Sequence, residues 1–496
     1  MVRRTKGYVA RDWSLSLGWN NMRYIIEAAV LDADLMNRTL VLPSFVYARA
    51  CEYHNEVCAK YARMVNRGDA VNTDEWRTLP IEKQMGFVIP IEVMIDIPHL
   101  RQHHNVMMMT EYMYLQGLNA TRERSNGSWD REYYHSGVDL PSLYVIQNHI
   151  YEPQGIVRVD KMPPVPTGAI NATGPASQFG GISDANLQMA LQGKDRAHLD
   201  WSEAKDVLKA AMESYNITSM EEALDAAGWV VLHTWDGALG MDWTKTVVDP
   251  IKQVARYSAL RGFIDEFAGF NQDVVLFEGE LHLGRKPGFV KYTTIPARDN
   301  FARTVLYHIN PSQRVKSLAA KIVKRMDKLN HGRLWLAGHM RRGDFVNVGW
   351  AMEGSIRDHL GRILHRLANG RQLLERIQYT EPQPYDVPDV HPNNFASRQP
   401  PLDGSFIYLA TDERSEEGQR MLRESHMVLF SDLVTMTDRR DFGWPLLYSD
   451  VIALVEQQII GSGAAYFYAH AMSSVAGGIL NVRGASGCDS RTALLD

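Results

Sequence analysis

Two spacings of apolar residues alternate along this chain. "KGYVARDW" (6–13) is a short apolar run of strand length. It is followed by "GWNNMRYIIEAAVLDADLMNR" (18–38), in which Ile25, Ile26, Ala29, Val30, Ala33 and Met36 fall on one helical face. "TLVLP" (39–43) then reads as a buried strand closed by Pro43. The three pieces make a β-loop-α-β unit. "GWVVLHTW" (228–235) and "DVVLFEG" (273–279) predict further strands, whereas 121–140 and 161–200 are polar or rich in Pro and Gly and predict surface loops.

The alternation is cleanest after residue 310. A helix over about 312–329 leads to the strand "GRLWLAG" (332–338), then to the helix "SIRDHLGRILHRLANG" (355–370) and a proline-rich loop (382–401). Strand "SFIYLA" (405–410), helix 414–425, strand "MVLFS" (427–431), helix 449–460, strand "AAYFYA" (464–469) and helix 474–483 complete the series. Repeated β-α units predict parallel sheets covered by helices. The expected fold is therefore α/β and GT-B-like, with two Rossmann-like domains and a cleft between them. The expected boundary separates residues 1–310, with long insertions, from 311–496.

Length agrees with more than one domain, since 496 residues exceed what a single core organises. A hydrophobic fraction of 45% and a charged fraction of 22% describe a globular chain, not disorder or coiled coil. A net charge of −5 without a basic stripe argues against nucleic acid as partner. The long uncharged stretch from Gln457 to Val482 carries Gly, Ser, Gln and His throughout, so it is not expected to span a membrane.

Three cysteines do not make a disulfide framework, but Cys51 and Cys58 are near enough to pair in an oxidising compartment, which leaves Cys488 over. Five sequons stand at Asn37, Asn119, Asn126, Asn171 and Asn216. They point to the lumen of the secretory pathway, with Asn37 expected to be buried at a helix end. "MVRRTKGYVARDW" shows no signal peptide, so a lumenal site would require a signal or anchor ahead of it.

Candidate chemistry gathers where strands end. "LWLAGHMRRGDF" (334–345) places His339, Arg341, Arg342 and Asp344 within six positions of an apolar run that is expected to end at Gly338. Ligands of open α/β sheets bind beyond the carboxyl ends of the strands, and Arg there offers a fork of donors matched to phosphate. "SFIYLA" runs into Thr411-Asp412-Glu413, where the carboxylate of Asp412 can accept from a base or a ribose. "AAYFYA" runs into "HAMSSV", where Ser473 and Ser474 open a helix whose first N–H groups suit phosphate oxygens. From the other half, the Gly18-Trp19-Asn20-Asn21 turn supplies a glycine and two amides able to bracket a sugar hydroxyl. Taken singly these are ordinary caps and turns. Together they describe an anion site.

These segments resemble the GDP-fucose-dependent O-fucosyltransferase family, in the flavour of its divergent fungal members. "HMRRGDF" resembles its HxR(R)xD motif, and "SLGWNNMRYIIEAAVLDADLMNRTLVLPSF" its N-terminal signature. "FIYLATDE" and "YFYAHAMSSVAGGILNVR" resemble two further family segments. The register covers roughly 5–45 and 330–485. The resemblance implies a GDP-fucose donor, an inverting reaction without metal or other cofactor, and a protein or glycan hydroxyl acceptor. It makes Arg341 the residue that neutralises the β-phosphate, and Asn20 or Asn21 the N-terminal catalytic-loop position. Gly18, His339, Arg342, Asp344, Thr411, Asp412, Ser473 and Ser474 would line the donor site, Asp412 near the guanine. Asp344 is expected to orient the motif loop. Without a metal, arginine and helix N-terminal donors must stabilise the charge that builds on the departing GDP. One departure stands out. Some members carry a Glu just before the Gly-aromatic-Asn turn, and here that position is Leu17. Glu27, Glu278 and Glu280 are the alternatives. A GDP-sugar-binding pseudoenzyme or a secreted interaction protein with a vestigial cleft is the competing reading.

Overall fold

The computed structural model of the protein describes residues 4–11, 13, 18–66, 81–120, 123, 142–147, 155–170, 178–237, 250–278, 290–347, 353–393 and 398–496. Strands β1 (Tyr8–Arg11), β2 (Thr39–Leu42), β3 (Val106–Met108), β4 (Leu143–Ile146) and β5 (Val274–Phe277) form one sheet in the order β3-β2-β1-β5-β4. Strands β6 (Leu336–Met340), β7 (Ile407–Thr411), β8 (Met427–Val428), β9 (Tyr466–Ala469) and β10 (Ala493–Leu495) form a second, in the order β8-β7-β6-β9-β10. Every pairing in both sheets is parallel. The expected α/β class with two Rossmann-like, mainly parallel sheets is the observed one.

Parallel strands are buried on both faces and need helical crossovers. β1, β2 and β5 are buried at every position. Helix α1 (Trp19–Leu35) crosses from β1 to β2, burying Ile25, Ile26, Ala29, Val30 and Ala33 as its spacing predicted. In the second half, α2 (Gln313–Leu329), α3 (Ile356–Ile377), α4 (Glu416–Glu424), α5 (Ser449–Gly463) and α6 (Ser474–Ala485) cover the sheet.

Several boundaries depart from the sequence expectation. The strand expected to end at Gly338 continues through Met340. Gly338 is a point of close approach instead of a break: a Cβ there would lie 3.0 Å from Leu409 Cδ1 and 3.4 Å from Ile363 Cγ2. "MVLFS" yields only two strand residues before the short helix Phe430–Leu433. The stretch 161–200, expected as loop, holds the helix Gln178–Leu191 and the strand His198–Asp200. That strand joins Trp229–Thr234 and Ile251–Arg256 in an antiparallel sheet. Leu187, Leu199, Leu208, Leu224 and Trp229 pack into one core beneath it, and Asp184 accepts from Trp229 Nε1 at 2.9 Å. Tertiary burial overrides the weak helix propensity of Gly180-Gly181.

Cys51 and Cys58 form a disulfide, and Cys488 is a buried free thiol. The bridged loop is sewn to the other half. Cys51 O accepts from Arg414 Nη1 at 2.8 Å, and Cys58 O from Tyr448 Oη at 2.9 Å. Glu52 N donates to Leu447 O at 2.8 Å. Asn119 and Asn216 are exposed, and so is Asn37, contrary to expectation; the Thr39 of that sequon is instead buried in β2. Asn126, Asn171 and the expected loop 121–140, apart from Glu123, lie outside the described residues. No helix among the described residues is long and apolar enough to cross a membrane.

Helix α3 crosses β9 at Gly370, where a Cβ would lie 2.3 Å from ring atoms of Tyr466. Gly370→Ala forces that ring off its rotamer and should cost about 1–3 kcal/mol. A urea midpoint equal to that of the wild type would contradict this packing.

Candidate functional site

β6 lies between β7 and β9, with Met340 opposite Thr411 and His339 opposite Ala469. Neighbouring parallel strands are about 4.8 Å apart, so three carboxyl ends emerge side by side. They deliver Arg341, Asp412 and the turn that opens α6. In the strand order the chain steps outward from β6 to β8 and returns on the opposite side at β9. The gap between β6 and β9 is the topological switch point, where open α/β sheets bind ligands.

Asp412 organises the β6 end. Its Oδ2 accepts from Arg341 Nη1 at 2.6 Å, and its Oδ1 from the Arg342 backbone N–H at 2.8 Å. Both oxygens are therefore engaged within the loop, unlike a carboxylate held out for a base. The Gly of "RRGD" follows from the same contact, since a Cβ at Gly343 would lie 2.4 Å from Asp412 Oδ2. The two arginines diverge. The Arg341 guanidinium carbon lies 5.6 Å from the Phe345 ring centroid and the side chain is 28% exposed. Arg342 is 11% exposed; its Nη2 donates to Gly354 O at 3.0 Å and its Nε lies 3.7 Å from Glu413 Oε2. Thr411 Oγ1 accepts from Glu413 N at 3.1 Å, which closes the turn. Asp344 falls in the short helix Gly343–Asn347, and its side chain is outside the described residues.

On the β9 side, Ser473 is the N-cap of α6, and its hydroxyl makes no cap bond. The turn before it is held by His470, whose Nδ1 accepts from Met472 N at 3.1 Å and whose carbonyl accepts from Ser473 N at 3.2 Å. N–H groups in the first turn of α6 have no acceptor within the helix. They, the helix dipole and Arg341 give the switch point a positive character suited to an anion. His339, on β6, is buried, and burial first, then Arg341, His359 and His470, push it down to about 3. Its ring is neutral at physiological pH, so the positive charge there is guanidinium and helix terminus.

The N-terminal turn packs on α5 and is less open than expected. Asn20 is buried and its Oδ1 accepts from Gln457 Nε2 at 2.6 Å. Among the described residues, Asn21 Oδ1 is buried without a hydrogen-bond partner. Gly18, the N-cap of α1, lies against Arg49 and Asp450. Arg23 is buried: its Nε pairs with Glu27 at 2.9 Å and its Nη2 donates to Val305 O at 3.0 Å. Tyr24 Oη donates to Ser474 O at 3.2 Å and so links α1 directly to α6. Tyr24, Asp450, Gln457 and His470 escape a reading of local pattern, because each looks like an ordinary helix or turn residue.

Glu456 on α5 accepts from Tyr408 Oη at 3.1 Å; burial first, opposed by that hydrogen bond and aided by the carboxylates of Glu52 and Asp412, pushes it up to about 8. A carboxyl raised in the folded state is stabilising below the unfolded value and loses that contribution as pH rises through the folded value. Glu456→Gln does not titrate, so its stability relative to the wild type should increase from pH 5 to pH 8. Urea midpoints at the two pH values read this, and a constant difference would contradict it.

Comparison of the sequence with curated proteins gave no match. Among solved structures the fold is similar to POFUT1 in complex with GDP-fucose, at a TM-score of 0.37 and 11% identity over 99% of this chain and 97% of that one. It is similar also to POFUT1 in complex with GDP, at 0.36 and 11% over 99% and 98%. The sequence model of the family described as GDP-fucose protein O-fucosyltransferase matches residues 16–476. That span contains the Gly18–Asn21 turn, the Arg341 loop and the Ser473-Ser474 helix start, and the chain belongs to the GDP-fucose protein O-fucosyltransferase family.

Proposed function

We propose that the protein transfers fucose from GDP-fucose to a hydroxyl of a protein or glycan acceptor, with inversion and without a metal or other cofactor. The observation that supports this reading is the pairing of β6, which runs into Arg341, with β9, which runs into the turn that opens α6. In this reading residues 311–496 bind the donor and 1–310 present the acceptor. The acceptor oxygen attacks the anomeric carbon. The bond to the β-phosphate oxygen breaks, its electron pair leaves with GDP, and the acceptor proton passes to solvent or to the departing phosphate. Arg341 and the N–H groups of α6 meet the charge that builds on the leaving group. Asp412 holds the guanidinium until phosphate competes for it. Asn20 or Asn21 approaches from the other half at the catalytic-loop position, beside Gly18 on the donor. Ser473, Ser474, Thr411, His339, Arg342 and Asp344 complete the donor edge.

Of the three carboxylates first considered as the base, Glu278 is half-buried just past the end of β5. Glu27 is buried and paired to Arg23, and Glu280 lies outside the described residues. Burial of Glu27, with Leu17 where relatives can carry a Glu, favours a second reading: a GDP-sugar binder with little turnover. The two separate experimentally, because a binder takes up GDP-fucose without releasing GDP.

GDP and GDP-fucose should bind with EDTA present, and UDP should compete far less well. Loss of binding on chelation, or equal competition by UDP, would sink the donor assignment. Arg341→Ala removes a charge-assisted contact and should weaken GDP by about 1.5–3 kcal/mol, roughly 10–150-fold in Kd. Arg342→Ala should do less, and equal losses would mean the fork is misassigned.

A lumenal location is part of the same proposal, supported by the Cys51–Cys58 bond and the exposed sequons. Secreted protein should carry glycan at Asn119 or Asn216. Peptide maps with both sites bare would remove that support.

A further inference from the structure

Helix α1 begins without a cap of its own. Gly18 occupies the N-cap position in an extended conformation (φ −61°, ψ 156°) and has no side chain to offer. The first N–H groups of a helix require acceptors, and a nearby carboxylate is the strongest. Here it arrives from 431 residues away. Asp450, in the first turn of α5, accepts from Trp19 N at 3.1 Å on Oδ1. Its Oδ2 accepts from Arg49 N at 2.7 Å. The carboxylate also sits at the positive end of the α1 dipole. Two turns along the same face of α5, Gln457 takes Asn20. Space at the contact is limited: a Cβ on Gly18 would lie 3.4 Å from Arg49 Cδ and 3.7 Å from Asp450 Oδ1.

The two partners belong to different halves. α1 packs on the first sheet, whereas α5 lies between β8 and β9 in the chain and covers the second. The cap of α1 therefore exists only when the halves are seated together. We propose that Asp450 is a positioning residue that caps α1 across the two halves. It thereby holds the Gly18–Asn21 turn against the edge formed by Arg341 and α6. This rests on the proposed fucosyl transfer. Asp450 bonds the backbone N–H groups of Trp19 and Arg49, so its effect passes through Trp19 and the turn. Donor binding, built from the second half, should survive its loss, whereas cleavage of the sugar–phosphate bond should not.

GDP release from GDP-fucose in water, followed beside GDP titration, tests this without a known acceptor. Asp450→Ala should lower kcat by about 10–100-fold, the scale of an ångström-sized misplacement. Its Kd for GDP should stay within about threefold of the wild type. Asp450→Asn keeps one acceptor oxygen and should recover part of kcat. Wild-type kcat in Asp450→Ala, or equal losses in kcat and GDP affinity, overturns the proposal. If Asp450→Ala does not fold, Asp450→Asn carries the same comparison, and wild-type kcat there overturns it too. If the wild type neither binds GDP nor cleaves GDP-fucose, the proposed function fails by itself. Exchange of the Trp19 amide hydrogen then decides the cap: faster exchange in Asp450→Asn supports it, and an unchanged rate overturns it.

Discussion

The parallel pairing of β6 between β7 and β9 is the constraint on which the site depends. Because Met340 lies opposite Thr411 and His339 opposite Ala469, the residues that follow the three strands share one edge. A one-residue slip would turn the alternation of side chains over and carry Arg341 to the other face. The register is held by burial on both sides. Trp335, Ala337, Tyr408 and Phe467 face one core, and Leu336, Met340, Leu409 and Tyr468 the other. Function at the edge is thus secured by apolar packing beneath it.

The two guanidinium groups at this edge are balanced by carboxylates before any ligand arrives, which leaves the helix terminus. Asp412 holds Arg341 and closes the loop through the Arg342 N–H, and Arg342 is held by Glu413 and the Gly354 carbonyl. An arginine fixed by a carboxylate is preorganised. The histidines behind it take no part in this balance. Burial holds His339 near 3 and His359 near 4, so both are neutral.

The halves meet through hydrogen bonds that single out a few backbone atoms. The disulfide loop gives Cys51 O and Cys58 O to Arg414 and Tyr448, and Ser449 N returns a bond to Ala50 O. α1 gives Trp19 N to Asp450 and Tyr24 Oη to Ser474 O. Each of these bonds has a definite length and direction, unlike apolar contact, and so defines one seating of the two halves. This junction runs alongside the proposed donor edge: Arg414 is two residues beyond Asp412, and Ser474 opens α6.

Much of this was legible in the order of residues. Apolar runs of strand length and the helical face of Ile25, Ile26 and Ala29 determine the β-α alternation, because burial of a parallel sheet and its helices demands them. Strand ends rich in Arg, Asp and Ser mark the edge, because open α/β sheets present those ends to ligands. Gly338 shows where local reading stops. A glycine after an apolar run reads as a terminus, yet it is there because α3 and Leu409 crowd the strand, a fact of packing. The helix over 178–191 is similar, since its Gly-Gly pair argues against the element that burial of Leu187 and Trp229 enforces. The pairing of Asp412 with Arg341, the burial of Arg23 and Asn20, and the capping of α1 by Asp450 join residues up to 437 positions apart. Periodicity and propensity act over one or two turns of chain. Partners at such separations are chosen only when two finished sheets press their helices together.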